Sequence, residues 1–206
     1  MARNLFIAFE GIDGSGKDTQ AKILKNYLEA NWFDSVFTSE PYQEDIVKAR
    51  IRKIGQNPIE AARAFIEDRS LHISEVISPA LASGKYVISS RFRMSTDAYQ
   101  SALGLSLNEV IALQNGILQA DITFFCRVTP ETGLKRIAER KKAKEPYEQL
   151  EFQKEVAVKY EACIKLPQAP SLYGRIIVLD AEKSKEEVTI EMLAEFNKAF
   201  EELKAK

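Results

Sequence analysis

The segment from Leu5 to Gln20 reads Leu-Phe-Ile-Ala-Phe-Glu-Gly-Ile-Asp-Gly-Ser-Gly-Lys-Asp-Thr-Gln. Leu5 to Phe9 is an unbroken apolar run, as expected of a strand buried on both faces. Glycines at positions 11, 14 and 16 follow, and Lys17 opens a helical pattern. This is G-x-x-x-x-G-K between a strand and a helix. Gly11, Asp13, Gly14, Ser15, Gly16, Lys17, Asp18 and Thr19 are the expected lining of an anion cradle. The glycines let successive backbone N–H groups curl inward, and the helix N-terminus adds partial positive charge. Lys17 can reach the outer phosphates, so ATP is the expected co-substrate. The hydroxyl that usually follows this lysine as a magnesium ligand is replaced by Asp18.

The alternation continues outward from this segment. Ser35 to Thr38, Tyr86 to Ser89, Ile122 to Val128 and Ile176 to Leu179 are further short apolar runs. Helical patterns cover Lys17 to Ala30, Ile46 to Ile54, Ile59 to Ala82, Leu107 to Gln119, Pro130 to Arg140, Tyr147 to Leu166 and Lys185 to Leu203. Pro58 and Pro130 suit helix starts, and Gly84 suits a helix end. Strand–helix alternation predicts an α/β fold of the P-loop NTPase type. The expected form is a three-layer sandwich with a parallel five-stranded sheet and right-handed crossovers. Ligands bind such sheets beyond the carboxyl ends of the strands, where the motifs fall. A length of 206 residues suits one kinase domain, 1–206. The polar segment at approximately 139–151 reads as a small mobile lid.

Composition excludes several classes. Lys and Arg number 29 against 30 Asp and Glu, a net charge of -1. The whole molecule is therefore no polyanion binder, and no nucleic-acid partner is expected. Cys126 and Cys163 lie far apart and His72 is the sole histidine, which leaves no disulfide framework and no zinc cluster. No stretch approaches the roughly 20 apolar residues of a membrane span. The first apolar run is too short for a signal peptide. A reduced, cytoplasmic location is the expectation.

Other residues suggest a second substrate. Arg91 follows the third strand, where a fork of N–H donors can hold a phosphate. Phe65 and Arg69 are four apart and share a helix face. A ring beside a guanidinium suits a pyrimidine, but Phe65 equally fits an apolar stripe with Ala62, Ile66 and Ile73. Ser95, Thr96, Tyr99 and Gln100 offer polar groups within about one and a half helical turns. Ser95 also reads as a helix N-cap.

Taken in order, these segments resemble the thymidylate kinase (dTMP kinase) family of the nucleoside monophosphate kinase group. Phe9 to Lys17 is similar to the family's P-loop. Glu40-Pro41, Phe65-Ile66-Glu67-Asp68-Arg69, Ser90-Arg91 and Ser95-Thr96-Asp97-Ala98-Tyr99-Gln100 follow. Gly133-Leu134-Lys135-Arg136, Leu179-Asp180-Ala181 and Glu186-Glu187-Val188 complete the series over nearly the whole chain. The resemblance implies phosphoryl transfer from ATP to dTMP, with Mg2+ as cofactor, in a homodimer formed through helix packing. It implies that Arg91 holds the substrate phosphate and that Asp13 meets the 3'-hydroxyl. Phe65 is implied to stack on thymine while Arg69 donates to a carbonyl oxygen. Ser95, Thr96 and Gln100 would surround the nucleoside, with Tyr99 near the sugar's 2' position. Glu40-Pro41 forms a loop after the second strand, and Arg52, or Arg50 because the spacing slips by one, adds a second phosphate contact. Arg136 is implied to pack near the adenine or the ATP phosphates, and Asp180-Ala181 resembles the adenine wall.

The departures from the family pattern shift these expectations. Ser39 stands where an arginine often precedes Glu-Pro. Gly14 stands where some members carry a P-loop arginine, so the charge on the transferring phosphoryl group must come from the lid. Arg136, Arg140, Lys141, Lys142 and Lys144 form a basic cluster there, although such a cluster is otherwise a solvated face. Arg140 is the expected catalytic arginine beside Lys17 and Arg91. Pro146 replaces another frequent lid arginine. Ser90 replaces an aspartate. With Asp18 it can form a swapped magnesium pair, one carboxylate and one hydroxyl. Alternatively, Asp18 is only a first-turn acid favoured by the helix dipole. Two other functions remain open: a kinase for another deoxynucleotide or a deoxynucleoside, and a nucleotide-binding protein that has lost catalysis.

Overall fold

A computed structural model describes residues 4–54, 57–139 and 150–204. Five strands form one all-parallel sheet: β1 (Phe6–Glu10), β2 (Ser35–Ser39), β3 (Tyr86–Ser90), β4 (Ile122–Arg127) and β5 (Arg175–Asp180), in the order β2-β3-β1-β4-β5. The expected five-stranded α/β sandwich is therefore present. The central strand β1 has all five residues buried. Its side chains alternate between two apolar layers. Ile7 and Phe9 enter the larger cluster and Phe6 and Ala8 the smaller one on the opposite face. In register, Phe9 lies opposite Ser90 and Glu10 opposite Phe125. That pairing brings the loop after β1 beside the loop after β3.

The helices are α1 (Lys17–Ala30), α2 (Glu44–Ile54), α3 (Pro58–His72), α4 (Ser78–Ala82), α5 (Arg93–Ala102), α6 (Leu107–Leu113), α7 (Pro130–Glu139), α8 (Leu150–Ile164), α9 (Ala169–Tyr173) and α10 (Lys185–Lys204). None of them is long and apolar enough to cross a membrane. Asn57 caps α3 by accepting from the N–H groups of Ile59 and Glu60 at 3.2 and 3.3 Å. Ser106 and Glu109 cap α6 reciprocally.

The helix expected over Ile59 to Ala82 is interrupted by a π-turn at Ile73–Ile77. Pro79 explains it: a proline ring clashes with the carbonyl four residues back, and a wider turn just before it relieves the clash. The helix expected over Leu107 to Gln119 stops at Leu113. Gly116, at φ 80, redirects the chain toward β4. The helix α9, unmarked by any periodic pattern, was not anticipated.

At the end of α1, Trp32 N–H bonds the Glu29 carbonyl and Phe33 N–H bonds the Leu28 carbonyl. This is a Schellman ending, whose left-handed position normally holds glycine. Trp32 adopts φ 64 there while 95% exposed, so strain is not offset by burial. Trp32→Gly is expected to stabilise the fold by about 1 kcal/mol, the scale of the left-handed penalty. That corresponds to a rise in Tm of about 2–4 °C for a chain of this size. Thermal melting checks it, and a lower Tm would show that the indole makes a stabilising contact.

Candidate active site

The P-loop is shaped by close backbone approach. Gly14 has φ 79, and a Cβ there would lie 2.1 Å from the Gly133 carbonyl oxygen in α7. A Cβ on Gly133 would in turn lie 2.5 Å from the Asp13 carbonyl oxygen. The two glycines let the loop rest directly on α7, and no side chain fits at position 14. A P-loop arginine is thereby sterically barred. Gly16, the N-cap of α1, supplies no side-chain cap, so the helix leaves its first N–H groups open to an anion.

Lys17 is buried, with Nζ 3.3 Å from the Ile12 carbonyl oxygen and 3.8 Å from the Asp13 carboxylate. Burial lowers the pKa of its amine, and the neighbouring Arg91 charge pushes the same way. Asp13 accepts a hydrogen bond from Arg91 Nη2. Burial alone would raise the Asp13 pKa, but the charges of Arg91 and Lys17 outweigh it and hold it below the ordinary value.

Arg91 itself has φ 67. This left-handed residue turns the chain from β3 into α5. Its Nη1 reaches Ser95 Oγ at 3.2 Å and its Nη2 reaches the Tyr99 hydroxyl at 3.2 Å. The guanidinium also lies 4.9 Å from the Tyr99 ring centroid. A strained residue held at the mouth of a P-loop is a functional signal. Ser90 Oγ donates to Asp18 Oδ1, so the two departures from the family pattern meet in space.

Sequence reasoning missed Glu10. Its carboxylate is buried and accepts from Phe92 N–H at 2.9 Å, Ser95 N–H at 3.1 Å and Ser95 Oγ at 2.5 Å. The Tyr160 hydroxyl lies 3.2 Å away. Burial raises the Glu10 pKa, and the Ser95 bond counters part of that. Glu10 thus does the capping of α5, and the alternative reading of Ser95 as the N-cap does not hold. Ser95 lies inside the helix, whose N-cap is Phe92.

The second half of the site centres on Arg69, which is 2% exposed. Its Nε and Nη2 donate to Glu40 Oε2 at 2.9 and 2.6 Å. Nη2 also reaches the Phe92 carbonyl at 3.0 Å and Thr96 Oγ1 at 2.9 Å, and Nη1 donates to Gln114 Oε1. Most of the fork is therefore engaged within the protein, and one Nη1 N–H remains. The Glu40–Pro41 bond is cis. Glu40 Oε1 lies 3.1 Å from His72 Nδ1. Phe65 is half-buried. Ala62 and Ile73 fall in separate apolar clusters, and among the described residues Phe65 joins neither. Among the described residues Gln100 Oε1 is buried with no hydrogen-bond partner, one turn after Thr96 on α5.

The remaining expected residues are more scattered. Arg50 is engaged by Glu67, Arg52 is exposed on α2, and among the described residues no bond ties either to the P-loop. Thr19 lies in the first turn of α1. Arg136 is half-buried on α7, Asp180 is exposed and Ala181 buried. Glu182, also missed, accepts from Thr129 N–H at 2.6 Å and Thr132 Oγ1 at 2.9 Å. It ties the loop after β5 to the start of α7. Arg140, Lys141, Lys142, Lys144 and Pro146 lie outside the described residues.

A parallel sheet ordered 2-3-1-4-5, a P-loop on its central strand and an arginine facing that loop from the next strand define a P-loop phosphotransferase of the mononucleotide-kinase class. The thymidylate kinase family profile matches residues 9–192. The thymidylate kinase of Mesoplasma florum is 36% identical, with 89% of this chain and 90% of that protein covered. That of Halothermothrix orenii is 35% identical, covering 90% and 93%. A probable thymidylate kinase of Pyrococcus abyssi is 33% identical, covering 93% and 95%. The chain belongs to the thymidylate kinase family.

Asp97 provides a test of the buried electrostatics beneath this site. Burial pushes its carboxyl pKa from 3.8 up to about 6. Arg93, Tyr173, Arg69 and Gln114 face it and oppose the shift. The folded protein therefore keeps this proton in a window, about pH 4 to 6, where the unfolded chain releases it. Stability from this group is present at low pH and is lost as pH rises through about 6, by about 3 kcal/mol at most. Asp97→Asn should lack that loss. Urea unfolding of both proteins at pH 4.5 and 7.5 checks it, and identical pH dependence would contradict the assignment.

Proposed function

We propose that this chain transfers the γ-phosphoryl group of ATP to dTMP, giving ADP and dTDP. The observation that carries the reading is a donor and an orphaned acceptor both set against α5: Arg69 bonds Thr96, and Gln100 follows one turn later. Among the described residues Gln100 Oε1 is buried without a partner, and Arg69 keeps one N–H. The imide edge of thymine is complementary: its N3–H suits Gln100 and a carbonyl oxygen suits Arg69. Cytosine presents an amine and an unprotonated nitrogen on that edge. Phe65, half-buried and outside the apolar clusters, supplies a face for stacking.

The reading assigns the phosphate end to Lys17 and Arg91. Lys17 carries positive charge to the outer phosphates of ATP, and Arg91 holds the acceptor phosphate in line with them. Asp13, now bound to Arg91, takes the substrate's 3'-hydroxyl, and Tyr99 faces the sugar. Arg136, Asp180 and Ala181 border the adenine, with Arg52 or Arg50 as a further phosphate contact. Arg140, from a lid at about 139–151, stabilises charge on the transferring group, since Gly14 leaves no room for a P-loop arginine. Positioning and charge stabilisation carry the catalysis. One kinase domain, a homodimer and a cytoplasmic location belong to the same reading, supported by the family.

Magnesium also belongs to it. The donor set of Asp18 and Ser90, a carboxylate and a hydroxyl already in contact, fits a hard cation that takes oxygen ligands. Such an ion neutralises charge on the outer phosphates.

An ADP-release assay across dTMP, dUMP, UMP, CMP and thymidine tests the reaction, with turnover expected to be greatest for dTMP. ATP binding without turnover on any of them would overturn the kinase reading. Phe65→Ala is expected to weaken dTMP binding by about 1–3 kcal/mol, the loss of one stacked base, while ATP binding barely changes. Titration calorimetry with each nucleotide decides it, and equal losses would make Phe65 a packing residue only.

For the metal pair, Asp18→Ser is expected to be severely impaired. Adding Ser90→Asp should restore a substantial part of magnesium-dependent turnover. A double variant no better than the product of the single effects would show two independent residues.

A further inference from the structure

A line of buried polar groups runs under the base end of the site, and only part of it is accounted for by substrate contact. Thr38 Oγ1 meets His72 Nε2 at 2.7 Å, and His72 Nδ1 meets Glu40. Glu40 holds one edge of Arg69. The opposite corner, Nη1, is held by Gln114 Oε1. Gln114 Nε2 donates to Asp97 Oδ1 at 2.8 Å, and the Tyr173 hydroxyl donates to Asp97 Oδ2 at 2.9 Å. Gln114 and Asp97 are wholly buried.

We propose that Gln114 is a positioning residue of the base site: it fixes the plane of the Arg69 fork, and through it the choice of base, by joining Arg69 to the buried carboxylate of Asp97. The inference rests on Arg69 reading the base as proposed above. Glu40, the Phe92 carbonyl and Thr96 hold the Nε and Nη2 side of the fork. Gln114 is the partner of Nη1 among the described residues, so it steadies that corner and sets the direction of the remaining Nη1 N–H. An amide can do this in only one sense. Asp97, as a carboxylate, accepts only, so it takes the amide N–H of Gln114 and turns the amide oxygen toward Arg69.

Protonated Asp97 loses its charge and accepts the Gln114 amide N–H more weakly than the carboxylate does, so the Nη1 corner of Arg69 is held less firmly. The groups facing Asp97 are Arg93 on its own helix, Gln114 at the end of α6, Tyr173 on α9, Arg69 on α3 and Cys163 on α8. Of these, Arg69 takes the amide oxygen of Gln114, and Asp97 itself is the group bonded to its amide N–H.

The test compares dissociation constants for dTMP, dCMP and ATP, because dCMP carries an amine where thymine has its C4 carbonyl, the oxygen assigned to Arg69, while both bases keep the C2 carbonyl. Gln114→Met, close in shape but without the amide, should weaken dTMP binding about tenfold, the scale of one well-placed bond. It should leave dCMP and ATP within about twofold. A merely structural role would weaken dTMP and dCMP together. That result, or no change in either, overturns the proposal.

Asp97→Asn gives a second measurement in case Gln114→Met does not fold. In the unaltered protein the ratio of dCMP to dTMP dissociation constants should fall several-fold between pH 7.5 and 5.5. Titration of the shared phosphate cancels in that ratio. In Asp97→Asn the ratio should stay level, and a parallel fall in both proteins would exclude Asp97 as the source. An unaltered protein that binds no dTMP would overturn the functional reading itself. One that binds dTMP with no effect of Gln114→Met would overturn only the role of Gln114.

Discussion

The Glu10 carboxylate sits where three parts of the molecule meet. It ends the central strand, caps α5 through two backbone N–H groups and receives the hydroxyls of Ser95 and Tyr160. Burying a carboxylate is costly unless its oxygens are satisfied. Here they are satisfied by the start of α5 and by a tyrosine of α8. The P-loop, α5 and α8 are thereby locked to the end of β1. Arg91 lies between the strand and the helix so joined, and its direction follows from that junction. Asp13 and Lys17 then find it at the mouth of the cleft.

Backbone contact sets the other boundary. Gly14 and Gly133 let the P-loop rest on α7 with no side chain between them. The helix that leads into the polar segment after Glu139 is thus in direct contact with the phosphate cradle. A shift of that helix must displace the loop, because neither contact is made through a flexible side chain. The same closeness explains why positive charge cannot come from position 14.

Beneath the base end, the buried polar line from Thr38 to Tyr173 replaces an apolar core. Buried polar networks hold a unique geometry when every member is satisfied and are costly when one is not. Arg69 is held in that network through Glu40, Phe92, Thr96 and Gln114. The Gln100 oxygen, with Arg93 Nε and Ser101 Oγ on the same helix, is buried without a hydrogen-bond partner among the described residues.

The alternation of strands with most of the helices, the strand–loop–helix of the P-loop, the position of Arg91 after β3 and the placing of Phe65 and Arg69 on one helix were legible in the chain itself. They depend on local periodicity, on glycine spacing and on the rule that parallel strands present their carboxyl ends to ligand. The meeting of Asp18 with Ser90 was inferred from two matched departures, and the sheet register brings it about. Helix ends were less legible. Pro79 imposed a π-turn and Gly116 an early stop, both of which depend on how the chain must return to the sheet. The roles of Glu10, Gln114, His72 and Gly133 were not legible at all. Each acts on a residue at least 32 positions away. No spacing along the chain records such a partner, because only the packing of loops and helices at one end of the sheet brings those atoms together.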